Sequence, residues 1–314
     1  MKKYKYLITG ATGYIGSLFT QKCLQVSETV SVILRNPDTF PVEMRDNADM
    51  IIADITDYRT MEAINGQFDY IIHCAAPTKS AYMVSKPVET TDVIVNGTRN
   101  VMELARRCSV KKVIYLSSME VYGNIDCSDG KRISEEESGN IDIFNVRSCY
   151  PLGKRMAENL CYSYYKEYGV PVVIARLAQT FGRGILDGET RIFAHIADSV
   201  QNGTDIVLHT AGNSMANYCG IDDVLEAIAV LLEKGEVGQA YNVVNEENTM
   251  SIRAMAELVA KELSDGRVKV VIDIPYCNMG YAADTGLRLS GKKLIKLGWL
   301  PRQSLMDMYR QMKS

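Results

Sequence analysis

Residues 9–16 read TGATGYIG, with glycine at positions 10, 13 and 16. The residues before them, YKYLI (4–8), are apolar and β-prone, and those after them turn amphipathic. The glycines therefore fall at the junction of a first strand and a first helix. Glycines there permit a tight turn and a close approach of backbone to a bound group. The helix N-terminus behind them offers unpaired N–H groups and a favourable dipole to an anion such as a pyrophosphate. A glycine triplet alone also suits an ordinary turn, so its setting carries the reading.

That setting is repetitive. The runs TVSVILR (29–35), DMIIAD (49–54), DYIIHCAA (69–76), KKVIYLSS (111–118) and VPVVIARL (170–177) are short, rich in Val and Ile, and separated by amphipathic segments. Near-continuous apolar strands alternating with helices predict a parallel sheet covered on both faces. Residues 1–176 are accordingly expected to form an α/β dinucleotide-binding domain, a Rossmann doubly wound parallel sheet. Segments 96–107 and 148–169 are read as the helices before and after the fifth strand, at 111–118. Beyond Arg176 the rhythm changes. QTFGRGILDGETR (179–191) reads as loop, followed by a helix at about 190–202, a strand DIVLHT, a helix at 222–234, a strand AYNVV, a helix from Ser251 and a closing LGWLP. Residues 177–314 are expected to be mainly a smaller, partly interleaved substrate lobe, with some segments returning to the first domain.

Bulk properties narrow the function classes. Of 314 residues, 46% are hydrophobic and 23% charged, an ordinary globular composition. A net charge of −3 leaves no basic excess for nucleic acid or an anionic membrane. No apolar run approaches the ~20 residues of a bilayer span, and MKKYKYLITG lacks the apolar core of a signal peptide. The eight cysteines show no CxxC pair, and the three histidines show no ligand spacing. Packed reduced thiols in a cytoplasmic protein are expected, and no metal site.

Two further positions bear on the dinucleotide. The second strand ends in Arg35-Asn36, where an NAD site usually places Asp or Glu on the ribose 2′-hydroxyl. A guanidinium pairs with a 2′-phosphate and stacks on adenine, so NADP is favoured over NAD, with NAD possible. A merely solvated Arg35 is the plain alternative. Asp54, ending the third run, either accepts from an adenine amino group or caps the next helix.

The chemistry-bearing stretch is CYPLGKRMAEN (149–159). Tyr150 and Lys154 stand at i, i+4 on one helix face. A phenol near its ordinary pKa of ~10 is a poor base, and a neighbouring ammonium and a cationic nicotinamide favour its phenolate. YxxxK is common by chance. Ser118, just past a strand end on the cofactor side of the sheet, is the specific companion, able to hold an oxygen that Tyr150 deprotonates.

In order along the chain, TGATGYIG, ADITD, HCAAPT, LSSMEVYG, YPLGK, RLAQTFGRG, IDD and LGW resemble the NAD-dependent epimerase/dehydratase family of extended short-chain dehydrogenases/reductases, which acts on nucleotide-sugars. The resemblance covers nearly the whole length. It implies that Ser118, Tyr150 and Lys154 are catalytic, with Tyr150 as acid/base and Lys154 on the nicotinamide ribose. It also implies that Gly10, Thr12, Gly13, Tyr14, Ile15, Gly16, Arg35, Asp54, Ile55, Ala75 and Ala76 line the cofactor. Family chemistry oxidises a sugar hydroxyl, typically at C4, and the keto intermediate is epimerised, dehydrated, decarboxylated or reduced. A homodimer through the helices flanking the 111–118 strand is implied as well.

The two positions after Ser118 separate subclasses. Glucose-type 4,6-dehydratases carry Asp-Glu there, and sugar-acid decarboxylases and mannose-type dehydratases tend to Ser-Glu. Here the pair is Met119-Glu120. Glu120 suits a base beside a C4 ketone, with a solvent-facing carboxylate as the alternative. Met119 supplies no acid for a departing hydroxyl and reads as core or pocket wall. On the substrate side the resemblance implies Gln179 in place of an Asn, and Arg191 and Arg288 at the diphosphate. Ala216 stands where many members have a diphosphate arginine, Gly220 where they have a tyrosine, and Ile94, with Asn96 nearby, where they have an asparagine. The leading expectation is a nucleotide-sugar epimerase or related oxidoreductase. Decarboxylase, mannose-type dehydratase, keto-sugar reductase and a non-catalytic dinucleotide sensor are the alternatives.

Overall fold

The structure, a computed structural model, describes all residues except 1, 2, 27, 126, 128, 129, 187, 277–285, 313 and 314. The apolar runs form β1 (Lys5–Thr9), β2 (Thr29–Leu34), β3 (Asp49–Ile52), β4 (Tyr70–His73), β5 (Lys112–Ser118) and β6 (Val172–Leu177). After them come β7 (Gln179–Phe181), β8 (Ile206–Leu208), β9 (Met215–Gly220), β10 (Ala240–Val243), β11 (Asn245–Ser251) and β12 (Val270–Ile272). Seven strands make one sheet in the order β10-β6-β5-β4-β1-β2-β3, and every pairing in it is parallel.

Strand pleating sorts the side chains into two layers. Ile8, Val32, Ile72 and Ile114 point into one core with Phe19, Val224 and Ile228. Their chain neighbours Leu7, Ile33, Ile71 and Val113 point into the other with Ile94, Val101 and Ala157. Alternation of this kind, with both faces apolar, explains the near-continuous hydrophobic runs. The first face is covered by the helices Tyr14–Gln25 and Ile221–Lys234, the second by Pro87–Cys108 and Cys149–Tyr168. Strand order reverses between β1 and β4, which opens a crevice at their C-terminal ends, the usual ligand position in such sheets.

The later segments are shared between layers. β10 extends the main sheet beside β6, and the C-terminal end of the Ile221–Lys234 helix is held by Lys112, whose Nζ donates to the carbonyls of Leu231 (3.2 Å), Leu232 (2.8 Å) and Gly235 (3.0 Å). A third core, with Phe181 stacked on Phe193 at 4.4 Å, joins β7, β9 and the helices Ile192–Asn202 and Ile252–Ser264. Trp299 of the LGWLP segment is buried and donates to the Asp223 carbonyl at 2.9 Å.

The structure departs from the sequence reading at several elements. The helix read from Asn96 starts at Pro87, whose fixed φ and missing N–H suit the first turn. QTF, read as loop, is β7, paired in parallel with β9 in a sheet β11-β9-β7. Three residues are too few to show a period. Beyond LGWLP a helix Leu305–Met312 places Leu305, Met308 and Tyr309 in the third core. Among the described residues no helix is long and apolar enough to cross a membrane.

Candidate active site

β5 delivers Ser118 to the C-terminal edge of the sheet, where it caps a short 3-10 turn, Met119–Tyr122, its Oγ accepting from Glu120 N at 3.2 Å. The Cys149–Tyr168 helix brings Tyr150 and, one turn on, Lys154 against the same strand end. The Ser118 hydroxyl lies near enough to the Tyr150 phenol to favour its ionised form. Lys154 Nζ donates to the Leu116 carbonyl at 2.7 Å and lies 4.7 Å from the Tyr115 ring centroid and 6.0 Å from that of Tyr150. Both side chains are deeply buried, Tyr150 with 8% and Lys154 with 3% of its surface exposed. Burial pushes the Tyr150 phenol up to about 12, with the Glu120 charge acting in the same direction and the nearby Ser118 hydroxyl, Arg147 and Arg191 opposing it. Burial pulls Lys154 down to about 8, against the nearby Glu158, so at neutral pH it remains mostly an ammonium.

Around this centre the structure adds residues that the sequence reading passed over. Arg147, in the Val146–Ser148 turn, donates from Nη2 to Glu120 Oε1 at 2.9 Å, and its guanidinium stands 5.3 Å from the Tyr150 ring centroid. A charged residue three positions before the tyrosine was the available signal, since i, i+3 positions meet on a helical turn. Arg155 clamps the Met119–Tyr122 turn to the helix by donating to the carbonyls of Val121 (2.5 Å), Tyr122 (3.1 Å) and Gly139 (2.7 Å). Below it, Glu158 pairs with Arg176 at 2.7 Å and accepts from Ser117 Oγ at 2.5 Å. Nothing local in the sequence marks either contact.

The residues expected at the cofactor do fit a dinucleotide. Gly10 has φ +70°, and a Cβ on it would lie 2.7 Å from Ala75 N, so the turn after β1 closes against the loop after β4. A Cβ on Gly16 would lie 2.2 Å from the Gly10 carbonyl oxygen, and Gly13 N donates to that same oxygen at 2.9 Å. Thr12 is exposed on the turn, Ile15 packs half-buried against the core, and the Tyr14 hydroxyl donates to the Arg183 carbonyl at 2.9 Å. Beneath Ala75 and Ala76, buried His73 bridges Thr9 Oγ1 (2.7 Å) and Thr98 Oγ1 (3.1 Å), and burial holds its imidazole neutral, at about 3. Ile55 is buried, its carbonyl accepting from Asn100 Nδ2 at 2.7 Å. Arg35 lies exposed at the end of β2.

Asp54 needs a correction on one of its two expected roles. It does not cap the next helix: Asp57 does, accepting from Arg59 N at 2.9 Å. Asp54 closes a turn instead, its Oδ1 taking the Thr56 amide (2.9 Å) and hydroxyl (2.8 Å). Helix entry is one turn later than the sequence suggested, because two aspartates compete for the cap.

On the substrate side Arg191 sits at the start of the Ile192–Asn202 helix, paired with Glu189 at 2.6 Å, and its charge is felt at Tyr150. Gln179 opens β7 with its Oε1 buried and lacking a partner among the described residues. Arg288 lies in a segment fixed by Asn217, which donates to Leu287 O and accepts from Leu289 N, both at 2.8 Å, and by Ile133 N donating to the Arg288 carbonyl at 2.7 Å. Ala216 is buried in the third core, where a guanidinium would lack solvent. At Gly220 a Cβ would lie 2.1 Å from Gln303 Oε1, which accepts from Asp222 N at 3.0 Å, so the position a tyrosine would take is filled by Gln303. Ile94 packs against Gly153 between two helices, and Asn96 faces solvent bonded to Asp92. Met119 packs, half-buried, against the first core.

A doubly wound sheet with a glycine turn at its switch point and a serine–tyrosine–lysine group at the same edge, at the end of β5, defines a dinucleotide-dependent oxidoreductase of the short-chain type. The NAD dependent epimerase/dehydratase family matches residues 6–244, and the chain belongs to that family. It is 29% identical over 311 residues to UDP-glucuronic acid decarboxylase 6 of Arabidopsis thaliana, across 96% of this chain and 86% of that protein. Its fold is that of the UDP-glucose 4-epimerase of Thermotoga maritima, solved with UDP-glucose (TM-score 0.84, 24% identity, 98% of this chain and 97% of that one). The dTDP-glucose 4,6-dehydratase of Streptomyces venezuelae, solved with NAD, shares it too (TM-score 0.81, 23% identity, 98% and 96%).

Proposed function

We propose that this enzyme oxidises C4 of a nucleotide-linked sugar and processes the resulting ketone, as an epimerase or a related oxidoreductase. The observation that carries the reading is a buried Tyr150 with Lys154 one turn away on the same helix, both set against the end of β5 that carries Ser118, on the sheet edge that also holds the glycine turn. In this reading Ser118 holds the C4 oxygen and Tyr150 takes its proton. The Lys154 ammonium favours the phenolate electrostatically and reaches the ribose hydroxyls of the dinucleotide. The nicotinamide dinucleotide, when bound, accepts the C4 hydride and returns it. Glu120 stands one 3-10 turn from Ser118, placed to remove a proton next to the ketone, while Met119, packed into the core, offers no acid for expelling a hydroxyl. Arg191, Arg288 and Gln179 are assigned to the sugar diphosphate.

A second reading is decarboxylation of a sugar acid, favoured by the Arabidopsis relative, which aligns along nearly the whole chain. A ketone at C4 places a C5 carboxylate β to a carbonyl. Its C–C bond then breaks with the electron pair passing into the enolate and a proton returning to C5, which needs no departing hydroxyl. Arg35 at the end of β2 supports NADP as the preferred cofactor, and the free thiols of Cys23, Cys74, Cys108, Cys149, Cys161 and Cys219 support a reducing, cytoplasmic setting.

The test is incubation of the purified enzyme with neutral and uronic nucleotide-sugars, followed by NMR. Epimerised product, or C–H exchange without net cofactor reduction, is expected. Carbon dioxide release from uronates alone selects the second reading, stoichiometric NADPH consumption a reductase, and no conversion or exchange across the panel removes the proposal. Cofactor released from the purified protein is expected to be NADP, and NAD alone would overturn the Arg35 assignment.

We infer a homodimer as well, through the outer faces of the Pro87–Cys108 and Cys149–Tyr168 helices, where Met156, Tyr162 and Tyr168 are exposed. Light scattering is expected to give twice the chain mass at micromolar concentration, and a monomer there would exclude it.

A further inference from the structure

We propose that Arg147 is a positioning residue that holds the Glu120 carboxylate and the Tyr150 ring in a fixed charge relationship, coupling the two proton-transfer groups of the site. The proposal rests on the reading of Tyr150 and Glu120 given above. Three observations carry it. The Val146–Ser148 turn runs directly into the Cys149–Tyr168 helix, so Arg147 is rigidly placed relative to Tyr150, and Asn145 Oδ1 fixes the start of the turn by accepting from Arg147 N at 2.9 Å. The guanidinium spans both groups, with Nη2 2.9 Å from Glu120 Oε1 and its carbon 5.3 Å from the Tyr150 ring centroid. Its other terminal nitrogen, Nη1, is buried without a hydrogen-bond partner among the described residues. A solvated surface arginine does not leave an unpaired donor buried, because doing so forfeits hydration. Such a cost persists where the surrounding structure over-determines the side chain, and here the neighbours are the reacting groups.

The groups facing Tyr150 are Ser118 and Glu120 on the turn after β5, Tyr115 on β5, Lys154 on its own helix, Arg147 before that helix, and Arg191 at the start of the Ile192–Asn202 helix. Glu120 opposes ionisation of the phenol and Arg147 favours it. Removing Arg147 therefore acts twice, deleting a favourable charge and releasing Glu120 from its partner. Removing Arg147 and Glu120 together deletes both opposing charges, and the phenol returns towards its starting state. A merely structural arginine does not produce this pattern.

The experiment uses the full-length enzyme with its nicotinamide cofactor bound. A difluorotyrosine placed at position 150 brings phenol ionisation into a workable pH range, where it is followed by fluorine NMR in the parent, Arg147→Gln, Arg147→Lys and Glu120→Gln/Arg147→Gln proteins. The titration is expected to move to higher pH in Arg147→Gln, to move less in Arg147→Lys, and to return towards the parent in the double variant. In the unlabelled enzyme, single-turnover sugar oxidation by Arg147→Gln is expected to fall about tenfold at pH 7 and to recover as pH rises, the size of effect a nearby charge has on an ionising group. An unmoved titration in Arg147→Gln, or one displaced equally in single and double variants, overturns the proposal. If the glutamine variant does not fold, Arg147→Met, which likewise removes the charge, decides on the same criterion. The NMR arm needs no sugar, so failure of every nucleotide-sugar to react removes the functional reading and leaves this inference to the titration. Turnover with an unmoved titration removes only the role of Arg147.

Discussion

Replacing Tyr150 with phenylalanine is expected to leave a folded protein that binds its dinucleotide but oxidises sugar about 10²–10⁴-fold more slowly, the range that a positioned acid/base supplies. The substitution deletes one oxygen. The ring stays packed in the second core beside Ile94 and Ala157, so the helix and its Lys154 keep their places. Ser118 retains its role as cap of the Met119–Tyr122 turn through the Glu120 amide. What is lost is the group that takes the proton from the sugar hydroxyl as hydride leaves. Absorbance at the nicotinamide band in a single turnover measures that step, and cofactor fluorescence measures binding separately. A phenylalanine variant oxidising sugar at the parent rate would refute the assignment of Tyr150.

The largest stability effect is expected at a pair that touches neither sugar nor cofactor. Arg176 lies over Glu158, with Nε 3.1 and 3.2 Å from the two carboxylate oxygens and Nη2 2.7 Å from one of them. Its Nη1 also donates to the Tyr122 hydroxyl at 3.0 Å and the Glu135 carbonyl at 2.9 Å. The side chains are only 14% and 10% exposed. In Arg176→Met the Glu158 carboxylate stays buried with Ser117 as its remaining partner, and breaking a buried pair from one side costs about 3–5 kcal/mol. Urea unfolding is expected to show an unfolding free energy lowered by that amount, with the midpoint falling in proportion. The double variant Glu158→Gln/Arg176→Met is expected to regain part of the loss, because no lone charge is left behind. An unchanged midpoint in Arg176→Met would show that the pair contributes nothing. Activity is expected to fall with stability here, since Glu158 is one helical turn from Lys154 and Tyr122 closes the catalytic turn.

Much of the site was legible before any coordinates because its signals are short-ranged. The glycine turn spans eight residues, the Tyr150–Lys154 pair is one helical turn, and Ser118 stands at the end of an apolar run. Each is a local pattern whose geometry follows from backbone periods of two or about 3.6 residues. Arg147 was passed over although it lies close to Tyr150, because its meaning comes from Glu120, 27 residues earlier in the chain. Gly220 stands in the sequence as a departure from the family pattern and is a packing requirement, set by Gln303, whose Oε1 caps Asp222 across a separation of 81 residues. Met119 was read as core or pocket wall, and the structure shows the core against which it packs.

Apolar runs, glycine placement and an i, i+4 spacing along the chain were enough to read a doubly wound parallel sheet, a glycine turn at its first strand–helix junction and a tyrosine–lysine pair on one helix face, because these depend on neighbours a few residues away. Tertiary structure alone decided that Asp57 rather than Asp54 caps the third-strand helix, that β7 pairs with β9, that Glu158 and Arg176 neutralise each other, and that one arginine faces both Glu120 and Tyr150. Those outcomes depend on which distant segments the hydrophobic cores bring together, and on which charges are thereby withdrawn from water and left to find partners.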